Sequence, residues 1–336
     1  MNATVKLGKE HFPVLLDELI SIISPLYSGT FIDCTFGQGG YSKAILLNLK
    51  NKVIAIDRDS KTASNAIHLK KKFKDRFHFE NIKFSEINKL NVNKENIKAI
   101  IFDLGYSTKQ IQDPEKGLSF HAKGKLNMQM GLNDISAHDV INFLESKDIE
   151  KIFKYFGEEK KSKIISKKIS LLRKKKIVKT EDLVNLINHN KLKKNSKIHN
   201  ATKIFQALRI FVNKEISELI FGLINAYKIL PVGGMIVVIA FHSIEDRIIK
   251  FFFKNFSQKI NLSRYVPDQF EEKEEKLFKL TRKKPILPSE YEKKINPPSR
   301  SAKLRYAIKV KHSDNFDTFT EKFKYLIDIE NLSKKL

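Results

Sequence analysis

Apolar residues in the first third of the chain come in short, nearly unbroken runs: Thr30 to Cys34, Lys52 to Asp57, Ala99 to Leu104, and a weaker one at Phe77 to Asn81. Strands buried on both faces of a parallel sheet need runs of this kind, without the alternation of a half-exposed strand. Between them the period lengthens to that of a helix, at Tyr41 to Leu49 and Ser60 to Phe73. Strand alternating with helix predicts a doubly wound α/β sheet. The strand signal then stops after Leu104 and returns only at Gly234 to Phe241, behind a turn that opens at Pro231. A final strand is expected over Ser301 to Val310.

The long interval reads as helical. Ser136 and Asp139 have the spacing of a capping box ahead of Val140, Phe143 and Leu144, and Asp148 can cap a helix carrying Ile152, Tyr155 and Phe156 that stops at Gly157. Ile164, Ile165, Ile169 and Leu172 share one side of a further helix with lysines opposite, and Thr180 can cap Leu183 to Ile187. The expected organisation is a sheet domain in two parts, 1–113 and 217–336, with an all-helical domain, 114–216, inserted between them. Gln269 to Lys284 is expected to be a charged segment of low order, and no internal repeat is found.

Charge changes the picture most. With 63 Lys and Arg against 38 Asp and Glu, the formal net charge of +25 points to a polyanionic partner, nucleic acid first. Only nine of the basic residues are Arg, so a compositional bias towards lysine accounts for part of the excess. Residues Met1 to Pro13 lack the apolar run of a signal peptide, and nowhere are there 18 uninterrupted apolar residues. A cytoplasmic protein that does not enter a membrane is expected. The single cysteine, Cys34, excludes an internal disulfide and a cysteine-based zinc cluster, and reads as a small buried residue.

The most informative local pattern is Phe31 to Ser42, "FIDCTFGQGGYS": a strand ending in the acid Asp33, a turn with Gly37, Gly39 and Gly40, then a helix. The glycines let a ligand approach the backbone, and the helix N-terminus offers unpaired amides. Ser42 stands where the dinucleotide fingerprint needs its third glycine, which argues against NAD. Asp57 and Asp103 close two further strands, and an acid at the position of Asp57 reaches a ribose in this fold. Acids and glycines without a phosphate cradle suit a cationic nucleoside such as S-adenosylmethionine.

These residues, with "HFPVLLDE" at His11 to Glu18, "AIDRD" at Ala55 to Asp59, "DLGYSTKQ" at Asp103 to Gln110 and "KGLSF" at Lys116 to Phe120, resemble the ribosomal RNA small subunit methyltransferase H family. "YFGEE" at Tyr155 to Glu159, "HNATKIFQALRIFVNKE" at His199 to Glu215, "FHSIEDRIIK" at Phe241 to Lys250 and "NPPSRSAKLR" at Asn296 to Arg305 extend the likeness over nearly the whole chain. The resemblance implies a class I, Rossmann-like S-adenosylmethionine-dependent methyltransferase core with an inserted helical domain. The implied reaction is methylation of the exocyclic N4 amine of a cytidine in 16S rRNA of the small ribosomal subunit. By position it implies cofactor contacts from Gly39, Gly40, Tyr41, Asp57, Phe84, Asp103 and Gln110, with Phe84 beside the adenine ring. The chain departs from the family pattern at Tyr41 (usually His), Tyr106 (usually Val), Asn127 to Gly131 (usually D-M-R-M-D), and Lys203-Ile204 (usually Arg-Thr).

The amine of cytosine is a weak nucleophile because its lone pair is delocalised into the ring. Catalysis by alignment, with acceptors on the amine protons, is therefore expected, and no metal is required. The base must leave its stack to reach the site, which single-stranded or looped RNA makes less costly. Asp103 to Tyr106 resembles the acid-x-x-aromatic element of amine methyltransferases, with Tyr106 able to stack on the base. Phe241, His242 and Ser243 end the fifth strand; His242 is the candidate for contact with the base or proton removal, while Ser243 and Asp246 have capping-box spacing. Arg209, Arg247, Arg300 and Arg305 are expected to line the active cleft. Lys160, Lys163, Lys167, Lys168 and the run Arg173 to Lys176 are expected to meet the RNA backbone. The alternatives are an amine methyltransferase on another nucleic acid, whose usual acid-Pro-Pro-aromatic marker is missing, and a catalytically weakened ribosome-assembly RNA-binding protein, for which only the altered Asn127 to Gly131 loop speaks.

Overall fold

A computed structural model describes residues 13–119, 123–173, 177–188, 200–257 and 276–336. Of the segments anticipated above, Met1 to Phe12, Phe120, Lys174 to Lys176, His199 and Gln269 to Glu275 lie outside the described residues. The chain divides into two compact units: 1–105 with 220–319, and 106–219 with 320–336.

The first unit is built on a seven-stranded sheet in the order β3-β2-β1-β4-β5-β7-β6. Its strands are β1 (Thr30–Asp33), β2 (Lys52–Ile56), β3 (Phe77–Glu80), β4 (Ile97–Asp103), β5 (Met235–Ala240), β6 (Phe278–Lys279) and β7 (Lys303–Lys309). β1 to β5 pair in parallel; β7 runs antiparallel between β5 and β6. Every apolar run expected to be a strand is one. All six residues of β5 are buried, which explains why the run shows no alternation. Of the stretch Gln269 to Lys284, expected to be of low order, only Lys276 to Lys284 lies within the described residues, and there Leu277 and Phe278 are buried, the first adjoining β6 and the second within it. So short a strand leaves no periodic signal, and its burial comes from partners distant in sequence.

Helices α1 (Leu16–Ile23), α2 (Gly40–Leu46) and α3 (Ala63–Phe73) bring Leu19, Ile45 and Ala66 into one core with Phe31, Val53, Ile101 and Val237. The second unit holds α4 (Thr108–Gln112), α5 (Ala137–Phe143), α6 (Ser146–Tyr155), α7 (Ser162–Leu172), α8 (Thr180–Asn188) and α9 (Asn200–Asn213). The unit boundary falls within α10 (Glu215–Ile229). The sheet unit continues through α11 (Ser243–Asn255) and α12 (Glu290–Ile295), and the boundary recurs within α13 (Asp317–Glu330). Phe252 of α11 packs against Phe278 of β6 and Phe319 at centroid distances of 5.3 and 4.7 Å.

Residues 320–336 group with the helical unit, whereas 217–336 was expected to be one piece of the sheet domain. The reason is specific chemistry. The Glu330 carboxylate accepts from the amides of Ile216 and Ser217 at 2.8 and 2.9 Å, capping the start of α10, and the Lys335 ammonium meets Asp148 at 2.6 Å. Asp148 was expected to cap α6, but it sits inside the first turn, buried, with Glu145 at the cap. Ser136 and Asp139 form the capping box as expected. Thr180 opens α8, its hydroxyl accepting from the Gly124 amide at 3.2 Å. Among the described residues no helix is long and apolar enough to cross a membrane.

Candidate active site

The strand order puts the C-terminal ends of β1, β4 and β2 side by side, and each carries a carboxylate: Asp33, Asp103 and, one residue beyond β2, Asp57. Asp33 is buried and accepts from the Ser42 hydroxyl at 2.6 Å and the Thr35 amide at 3.3 Å. Asp57 accepts from the Gly37 amide at 2.7 Å and the Asp59 amide at 2.8 Å, which fixes its carboxylate against the glycine turn. Gly39 stands at φ +74, and a Cβ there would lie 2.7 Å from the Phe36 ring. At Gly40 the obstacle is Pro13, whose Cγ would be 2.2 Å from an added Cβ. Both glycines are therefore required by the turn itself.

Asp103 takes the amide of Gly105 at 3.0 Å, while its own amide donates to the Thr35 hydroxyl at 2.8 Å. The Tyr41 hydroxyl lies between the Val14 carbonyl, at 2.5 Å, and the Asp103 carboxyl. Tyr41 is buried, so its ring belongs to the core and its hydroxyl braces Asp103. Burial raises the pKa of Asp57 and of Asp103 to about 6, with amide hydrogen bonds pulling the other way. The nearby charges acting on them are carboxylates too, Asp33 and Asp59 on Asp57, Asp33 and Glu245 on Asp103. Asp33 is raised by burial as well. Strand-end acids that raise one another in this way fit a ligand that brings positive charge. Asp33, Thr35 and Ser42, which bracket the glycine turn, were missing from the expected site residues; the hydroxyl and acid spacing in "DCTFGQGGYS" is the signal that identifies them.

Phe241 follows β5 and reaches the same edge, where a Cβ on Gly105 would lie 2.9 Å from its ring. The next residue corrects an expectation. His242, not Ser243, caps α11: its Nδ1 accepts from the Glu245 amide at 3.4 Å, and the Glu245 carboxylate accepts from the Phe241 and His242 amides at 2.7 and 3.2 Å. Asp246, the expected partner of Ser243, instead takes Lys303 at 3.0 Å and Arg305 at 2.8 Å. With Nδ1 accepting, the imidazole proton is assigned to Nε2, which lies 3.0 Å from Glu245 Oε1 without the alignment of a hydrogen bond. His242 Nε2 is thus buried beside the Glu245 carboxylate.

Phe84 meets Phe102 edge-on at 5.4 Å and closes on Gly222, where an added Cβ would lie 2.6 Å from its ring. Ser243, Arg247 and Arg300 are exposed. Arg305 gives its Nε to Asp246 and its Nη1 to the Lys283 carbonyl, so it ties β7 to α11. In the helical unit, the Gln110 Oε1 accepts from the Ser107 amide at 3.0 Å and the Ser107 hydroxyl accepts from the Gln110 amide at 3.2 Å, a reciprocal cap ahead of α4. Tyr106 is 38% exposed, and the Arg209 guanidinium lies over its ring at 4.7 Å. The departing loop is anchored by the residues that make it depart: Asn127 donates to the Glu115 carbonyl and Gln129 to the Ile135 carbonyl, at 3.1 and 3.0 Å. Of the expected phosphate contacts, Lys160, Lys163 and Lys167 are exposed, whereas Lys168 and Arg173 donate to the Leu186 and Leu144 carbonyls.

The model of the MraW methylase family matches residues 8–310. The chain belongs to the MraW methylase family. Proteins named ribosomal RNA small subunit methyltransferase H match it over most of its length: that of Orientia tsutsugamushi is 39% identical over 306 residues, covering 89% of this chain and 98% of the relative. That of Ehrlichia canis is 40% identical over 305 residues, covering 89% and 100%. A solved structure described as a putative rRNA methylase from Clostridium thermocellum aligns at a TM-score of 0.41 and 13% identity, covering 90% of this chain and 100% of that one, and adds nothing to the sheet order above. The chain is a methyltransferase, and S-adenosylmethionine is its methyl donor, in keeping with the acids at the strand ends.

Proposed function

We propose that this methyltransferase transfers the methyl group of S-adenosylmethionine to the exocyclic N4 amine of a cytidine in 16S rRNA of the small ribosomal subunit. The observation that carries the reading is the row of strand-end acids, in a chain alike over nearly its full length to enzymes named for small-subunit ribosomal RNA. S-adenosylmethionine, when bound, supplies an electrophilic methyl group and a positive charge. Gly39, Gly40 and the turn they shape would receive it, Asp57 would accept from its ribose hydroxyls, and Phe84 would flank its adenine.

Asp103 is the catalytic residue. Above pH 6 its carboxylate is ionised, and an acceptor on an amine proton of the base turns the nitrogen lone pair out of conjugation. Phe241 would form the apolar wall that keeps water from the amine, and His242 would hold the turn that carries Phe241 through its bonds with Glu245. Exposed Arg247, Arg300 and Ser243, with Lys160, Lys163 and Lys167, would meet phosphates and sugars of the RNA. The reading puts the protein in the cytoplasm with its RNA. The rival is an assembly factor with weakened catalysis, for which only the Asn127 to Gly131 loop speaks; there Asn127 and Gln129 bond within the loop region itself.

The test is transfer from labelled S-adenosylmethionine to small subunits from cells lacking the protein, with the modified nucleoside identified by mass spectrometry. N4-methylcytidine that disappears with Asp103→Ala is expected. Cofactor binding without transfer to subunits or to their RNA would sink the proposal.

A further inference from the structure

The strand-end acids have a counterpart of opposite sign at the other edge of the same sheet. In strand order, the N-terminal ends of β3, β2, β1 and β4 carry Lys74, then Lys50 and Lys52, then Gly29, then Lys94. Lys98, one residue into β4, lays its stem against Gly29, where an added Cβ would lie 2.4 Å from its Cγ, and so carries the line past β1. Lys71 stands in the last turn of α3, where that helix returns to this edge. Lys50, Lys52, Lys71, Lys74 and Lys94 are exposed, and none has a carboxylate partner among the described residues. The acids that share these turns are Asp75 and Glu95. The backbone under the cations is tied down. Arg76 Nη1 donates to the carbonyls of Leu46, Asn48 and Asn51 at 3.0, 3.0 and 3.2 Å, which joins the turn before β3 to the end of α2 and the loop into β2. Buried Asn51 donates to the Ile45 carbonyl at 3.0 Å and accepts from the Ser28 amide at 3.0 Å, which joins that loop to the turn before β1.

The strand from Lys52 to Asp57 spans about 17 Å at roughly 3.3 Å per residue. That is about twice the screening length of roughly 8 Å at physiological salt, so these lysines neither hold the acids nor steer the cofactor. Resting on the reading that the chain methylates small-subunit RNA, we propose that this edge of the sheet unit is a second RNA-contact surface, which grips backbone phosphates remote from the target cytidine. A row of cations on a braced backbone suits structured RNA, whose phosphates are already held in place, because neither side then loses much freedom on contact. Lysine is a point charge without a planar fork, so the surface adds affinity and does not choose the nucleotide. Leu47 and Leu49 are exposed beside Lys50, a combination that an anionic lipid surface would also accept. The cations, however, follow the strand ends in a line and do not ring the leucines, which favours RNA.

The experiment replaces Lys50, Lys52, Lys71 and Lys74 together with glutamine and, to keep the charge, together with arginine, with melting curves for both. It reads kcat and KM for small subunits, the salt dependence of binding to protein-free 16S rRNA, and the Kd of S-adenosylmethionine by calorimetry. The glutamine variant should raise KM at least about tenfold with kcat and the cofactor Kd unmoved, and should lower the slope of log affinity against log salt by about 3, at roughly 0.7 per phosphate contact. The arginine variant should keep the native values. Lys50→Gln/Lys74→Gln, which leaves the strands and helices untouched, should give about half of the slope change. A native KM in both glutamine variants overturns the inference while leaving the proposed function standing. So does a raised KM with an unchanged slope on protein-free RNA, which would assign the surface to a ribosomal protein, or a native KM with lost sedimentation on phosphatidylglycerol vesicles, which would assign it to a membrane. A native protein that methylates no small-subunit RNA overturns both.

Discussion

Asp57 and Asp103 carry a cost that only a ligand removes. Their ordinary carboxyl value is 3.8 and the folded value about 6, so the stability they contribute is full below about pH 3.8 and is lost as pH rises through 6. At pH 8 without cofactor, Asp103→Asn should therefore melt higher than the native protein while losing methyl transfer, a separation of stability from activity that differential scanning calorimetry reads directly. The same ionisation should govern ligand binding in the opposite sense. Affinity for S-adenosylmethionine should rise between pH 5 and pH 7 and then level, and the rise should shrink in Asp57→Asn; a flat titration profile would contradict the picture of acids waiting for a cation. These acids were legible in sequence because each follows an apolar run. His242 was not: serine is the stronger capping residue by propensity, and the choice was made by Glu245, which turns back on the amides of Phe241 and His242.

At the level of elements, the cap on α10 is the feature most exposed to pH. Glu330 is fully buried, and burial lifts its pKa from 4.5 to about 8 against the hydrogen bonds from Ile216 and Ser217. Its stabilising contribution is complete below pH 4.5 and is lost as pH rises through 8. Glu330→Gln keeps an acceptor for the helix amides and removes the titration. It should flatten the pH dependence of the melting temperature over that window and stabilise the protein at pH 8, whereas Glu330→Ala, which strips the cap, should destabilise it by about 1 kcal/mol or more. No periodicity announces such a bond, since it joins residues 113 apart in the chain. The same limit hid β6, two residues made into a strand by β7. The five parallel strands were plain because burial on both faces writes itself into the run.

For the molecule as a whole, the net charge of +25 is not spread evenly over useful positions. Lys168, Arg173 and Arg305 are engaged with carbonyls or acids of the chain itself, and Arg209 with Glu215, while Lys160, Lys163 and Lys167 stand exposed. Replacing those three lysines with alanine should weaken RNA binding at low salt and reduce the slope of log affinity against log salt by about 2, at roughly 0.7 per phosphate contact. An unchanged slope would show that the polyanion is met elsewhere. Charge, then, pointed to a class of partner from sequence, whereas the division between lysines that are solvated and those that brace the fold depended on the three-dimensional partners.

The helical unit is completed by residues 320–336, which the ribosome makes only after the intervening 220–319 of the sheet unit. At about 5 to 20 residues per second that is a wait on the order of 5 to 20 s, during which the amides of Ile216 and Ser217 have no Glu330 to meet. Folding of this unit is therefore timed by translation: its earlier helices emerge long before the segment that closes them, and a slow codon stretch within the sheet unit would prolong their exposure to chaperones and proteases.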